Sequence, residues 1–163
     1  MSSEEASHVA CVEAWVHRAA NGPARAHLIG SFERAVNALW RRAEVTLGVV
    51  TLTAIVDRVL YTASERYPLL STLKVEDAGV RFDEFREQGA ATHDGYLVEA
   101  ARFVLIEFLA VLGNLTAEIL TPALHAELSK VTVEDGEDDA VKRARSGSAG
   151  ATNDTDDGKG TRS

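Results

Sequence analysis

Cysteine, proline and aromatic residues are all scarce in this 163-residue chain, which has one Cys, three Pro and 6% Phe, Trp and Tyr. A lone thiol, Cys11, excludes an intramolecular disulfide and any cysteine-based zinc site within one chain. Long apolar runs are missing too. The longest nearly apolar stretch, 103–112, is interrupted by Glu107 and flanked by Glu99 and Arg102. A bilayer span needs about 20 consecutive apolar residues, so no membrane partner is expected. Positive charge is the minority sign: 17 Lys and Arg stand against 25 Asp and Glu, for a net charge of −8. Such a chain repels nucleic-acid phosphates at long range, and its best basic face, Arg34, Arg41 and Arg42, is diluted by Glu33 and Glu44. No nucleic-acid partner is expected. The first residues, Met1-Ser2-Ser3-Glu4-Glu5, lack the basic and apolar regions of a secretory signal, which predicts a cytoplasmic protein.

Catalytic motifs are equally absent. The sequence holds no HExxH and no phosphate loop, and Ser146 to Gly150 resembles a nucleophile motif only in a low-complexity stretch. His8, His17, His27, His93 and His125 include no pair at the i, i+4 spacing of a helical metal site. His125 lacks the downstream pattern of a phosphoacceptor, and His93-Asp94 reads as a loop with Asp94 capping the next helix. Cys11 sits beside Val12 and Trp15 and reads as a small core residue. Glu99, Glu107 and Glu118 recur along the last helices without the Glu-x-x-His pairs of a carboxylate-bridged metal site. No catalytic, cofactor-binding or metal-ligating residue is expected, and the chain reads as a non-enzyme.

What is present is helical periodicity. Val9, Val12, Trp15, Val16 and Ala19 follow the capping-box pattern Ser2 to Glu5, and Asn21-Gly22-Pro23 ends that first helix. A second helix is predicted over 23–47, with Leu28, Phe32, Val36, Leu39 and Trp40 on its apolar stripe and Gly48 closing it. Thr51 is the expected cap of a third, over 51–66, stopped by Pro68. Leu73 and Val75, then Val80 and Phe82, alternate around an acidic turn and predict a small β-hairpin near 72–82. It must lie against the helices or pair with another chain, because an isolated hairpin is marginal. One helical turn is read at 83–88, and the longest helix over 95–112, apolar on most of its circumference. Beyond a break at Gly113-Asn114 the pattern runs to Lys130, with Pro122 either kinking it or starting a new helix.

The expected architecture is therefore mainly α: a compact bundle of four to five helices over 1–133 with a hairpin insertion. A disordered acidic, low-complexity tail is expected over 134–163. The wide apolar surface of the 95–112 helix and the hairpin both call for partners. Elimination leaves a non-enzymatic interaction or regulatory module, homodimeric, in the manner of an adaptor in bacterial signal transduction. Its candidate surface is Phe103, Ile106, Ala110, Val111, Leu73, Val75, Val80 and Phe82. The alternatives are a small-ligand sensor with a pocket near Trp40, Phe103 and Phe108, and a transcriptional regulator using Arg34, Arg41 and Arg42.

Overall fold

The computed structural model describes residues 3–20 and 27–131; residues 21–26, with the expected helix start at Pro23, and the expected tail lie outside them. Among the described residues the chain forms α1 (Ser3–Ala20), α2 (Leu28–Leu47), α3 (Val49–Arg66), β1 (Lys74–Glu76), β2 (Gly79–Arg81), α4 (Asp83–Gly89), α5 (Asp94–Leu115) and α6 (Thr121–Lys130). The expectation of a mainly α fold with one hairpin stands, with six helices where four to five were predicted. The additional ones are α4, which reaches two turns, and α6, which is separate from α5.

Helix α5 is the central element, packed against α1, α2, α3 and α6. Its inner side chains Leu97, Val104, Leu105, Phe108, Leu109 and Leu112 are all buried. Much of its wide apolar surface is thus covered from within the chain. Burial of this kind contributes about 25 cal/mol per Å² of apolar area and is what holds the bundle together. The hairpin also finds its cover within the chain. Lys74 pairs with Arg81, Val75 with Val80 and Glu76 with Gly79, and Phe82 drops from β2 into an aromatic cluster with Phe32 and Phe85, at centroid distances of 5.5 and 5.7 Å. A short 3-10 turn, Pro68–Thr72, links α3 to it.

Three boundaries differ from the sequence reading. Helix α3 begins at Val49, not at a Thr51 cap. Gly48 sits at φ +81° and turns the chain sharply, and its carbonyl accepts from the Leu52 amide at 3.1 Å. Two β-branched residues thereby become helical, since their weak helix preference, under about 1 kcal/mol each, yields to the packing of Leu52 and Val56. Helix α5 is capped by His93 rather than Asp94: the Gly95 amide donates to His93 Nδ1 at 3.0 Å. The break foreseen at Gly113-Asn114 falls later, because both residues are helical and the turn comes at Ala117 and Glu118. Pro122 occupies the first turn of α6, where its missing N–H costs nothing, so it starts a helix rather than kinking one.

Candidate functional site

The outward stripe of α5 is Glu99, Arg102, Phe103, Ile106, Glu107 and Ala110, three and four residues apart, so all six share one face. Of the predicted interaction residues, Phe103, Ile106 and Ala110 lie on this stripe and are half-buried. Val111 is half-buried as well but stands about 100° round the helix from Ala110, beside the stripe rather than on it. Leu73, Val80 and Phe82 are buried in the chain's own core, and Val75 is half-buried against it. Leu73 and Val75 also edge a 910 Å³ hollow between α3 and the hairpin, so this half of the surface is covered only in part.

Around Phe103 the stripe is a platform with both signs of charge. The ring packs on Tyr67 at 5.9 Å and carries the Arg66 guanidinium at 5.5 Å. Arg102 is held by Glu13 at 2.7 Å and by Glu99. A 210 Å³ hollow opens outward here, edged by Arg66, Glu99, Arg102 and Glu107. Trp40 and Phe108, expected beside a ligand pocket with Phe103, are each only 1% exposed and serve as core. Arg41 and Arg42 are exposed on α2 and Arg34 is half-buried.

At the far end of the same stripe the fold assembles a polar cluster invisible in the sequence. His8 of α1 is 1% exposed, and its Nδ1 stands 2.9 Å from Nε2 of His125 on α6. The rings meet edge to face at 5.0 Å. Nε2 of His8 faces Glu118 Oε1 at 3.5 Å and makes no hydrogen bond. Burial, then the neighbouring His8, pushes the His125 pKa down, while Glu118 pulls the other way. Glu118 is held in turn by the Thr121 hydroxyl, which donates to Oε1 at 2.5 Å.

The backbone beneath this cluster is strained. Ala117 (φ 51°) and Glu118 (φ 64°) both occupy the left-handed region, which costs a residue bearing a side chain about 1–2 kcal/mol. Such outliers persist only where surrounding contacts over-determine them, and they gather at binding and catalytic sites. Gly113 makes the turn possible: a Cβ there would lie 2.6 Å from Glu118 Oε1. Cys11 lies beside the cluster, its Sγ donating weakly to the His125 carbonyl at 3.9 Å. Burial raises its pKa, which keeps it a neutral thiol in the role of a small packed residue. Among the described residues no group of three His, Cys, Asp or Glu is arranged to hold a metal ion. The two imidazoles are hydrogen-bonded to each other rather than splayed about a common centre. Comparison with protein-family models, curated proteins and solved structures finds no match, so the functional reading rests on the chain's own geometry.

Proposed function

We propose that the chain is a non-enzymatic interaction module that pairs with a second copy of itself through the outer stripe of α5. The observation that carries this is the order of residues on the stripe. In an antiparallel crossing centred between positions 104 and 105, Phe103 meets the second copy's Ile106 and Arg102 meets its Glu107. Glu99 faces the second copy's Ala110. A two-fold interface requires this kind of self-complementarity, since each contact must occur twice with the partners exchanged. The apolar pair supplies the centre, and the charges at its edge fix register more than affinity. A role as an adaptor in bacterial signal transduction is the setting in which such a module fits.

The test is the mass of the full chain in solution by light scattering and sedimentation. A dimer is expected, and Ile106→Glu, which sets a carboxylate at the centre of the contact, is expected to leave a folded monomer. Glu107→Arg should weaken pairing by opposing the second copy's Arg102, and adding Arg102→Glu should recover part of the loss, although exposed pairs are worth only about 0–1 kcal/mol each. A wild-type chain that stays monomeric at the highest reachable concentration, or an Ile106→Glu variant that pairs as tightly, overturns the proposal.

A further inference from the structure

The cavity beside the histidine pair measures 420 Å³ and is lined by Glu4, Glu5, His8, Ala110, Asn114 and Glu118. We propose that it binds the ammonium group of a small primary amine, received by the carboxylates of Glu118 and Glu4 and by Nε2 of His8. This goes beyond the pairing proposed above, with which it shares Ala110 alone. The inventory of groups decides the ligand class. Leaving Glu5 aside, two carboxylates bring two negative charges and only acceptors, and none of the six lining residues is Lys or Arg. The helix ends do not alter this balance. The N-terminus of α1 and the C-terminus of α5 contribute roughly +0.5 and −0.5 of a charge to the same space and cancel. The last turn of α5 holds no basic residue of its own.

The second observation is the buried imidazole. His8 is one of the lining residues, and its buried Nε2 has no hydrogen-bond partner. A buried polar nitrogen without a partner is destabilising, and a donor placed in the cavity would recover that loss. In the tautomer in which His8 Nδ1–H donates to His125 Nε2, His8 Nε2 carries a lone pair 3.5 Å from Glu118 Oε1. A group seated beside the two atoms can donate to both at once. A primary ammonium, with three N–H donors and no acceptor, satisfies this arrangement, whereas a quaternary ammonium has the charge and no donor. Binding therefore selects one tautomer of His8, which gives a spectroscopic signature.

The experiment titrates the isotope-labelled full chain with butylamine, with butyltrimethylammonium and butanol as controls, and reads the imidazole nitrogens of His8 and His125 by NMR. Butylamine is expected to saturate the signals and to move His8 Nε2 toward the shift of a lone-pair acceptor. Hydrogen bonds to charged groups are strong enough that both controls should bind at least about tenfold more weakly. Glu118→Gln and Glu4→Gln should each weaken butylamine, and because Glu4 is exposed its substitution leaves the fold intact. Ile106→Glu, off the cavity, should bind as wild type does, so loss of pairing and loss of binding are read separately. Equal affinity for butyltrimethylammonium, failure to saturate, or undiminished affinity in Glu4→Gln overturns the proposal. Saturation of the same imidazole signals by Zn²⁺ in place of the amine overturns it as well, in favour of a metal site.

Discussion

His125 shows how much a single side chain here depends on its neighbours. Its pKa is lowered below the ordinary 6.5, first by burial and then by His8. Above pH 6.5 the ring is neutral whether the chain is folded or not, and its contribution to stability is complete. As the pH falls below that value the unfolded chain takes up the proton first, and the contribution drains away until the folded value is passed. Denaturant midpoints measured above and below pH 6.5 should therefore fall on acidification, and more steeply for the wild type than for His125→Gln. Equal slopes would show that His125 does not couple protonation to folding. Phe82 makes a second residue-scale case. It is 1% exposed and meets both Phe32 and Phe85 edge to face. Truncation of such a ring costs about 3–5 kcal/mol. Phe82→Ala should lower the urea midpoint by a corresponding amount, and a change under about 1 kcal/mol would mean that the hairpin is not an integral part of the core.

Among the elements, the segment between α5 and α6 is the most constrained. It places two left-handed non-glycine residues next to each other and closes with the Glu118 amide donating to the Gly113 carbonyl at 2.7 Å. The strain belongs to the backbone, so Ala117→Gly should raise stability, by about 1 kcal/mol less the entropy glycine loses on folding. Gly113→Ala tests the opposite side of the same turn. The added methyl would displace a carboxylate anchored by Thr121, and overpacking of this sort costs about 1–3 kcal/mol. Chemical denaturation of the two variants should move in opposite directions. If both destabilise alike, the turn is held by something other than the Gly113–Glu118 contact. Helix periods were legible because each is a local repeat of three and four. The ends were less so. A positive φ at Gly48 and a histidine cap at His93 depend on how the chain enters and leaves a packed element.

At the scale of the whole molecule, the apolar surface that suggested partners divides in two. The inner faces of α5 and most of the hairpin are covered by the chain itself, and what stays half-open includes Val75 and the outer stripe from Glu99 to Ala110, with Val111 beside it. Any pairing through it is then a modest contact added to a fold already complete. Ile106→Glu should accordingly change oligomeric mass with little change in the monomer's unfolding midpoint, and a collapse of the midpoint would mean that α5 needs the second copy to fold. No described helix is long and apolar enough to cross a membrane, as the sequence required. By itself the sequence determined the mainly α class, the hairpin and the side chains of the core, because burial follows from the spacing of apolar residues along a single element. Tertiary structure alone decided that the hairpin belongs to the core and that His8 meets His125 across 117 residues of chain. Spacing along one element says nothing about which elements become neighbours, and a site drawn from α1, α5, the strained turn and α6 exists only once those elements have packed.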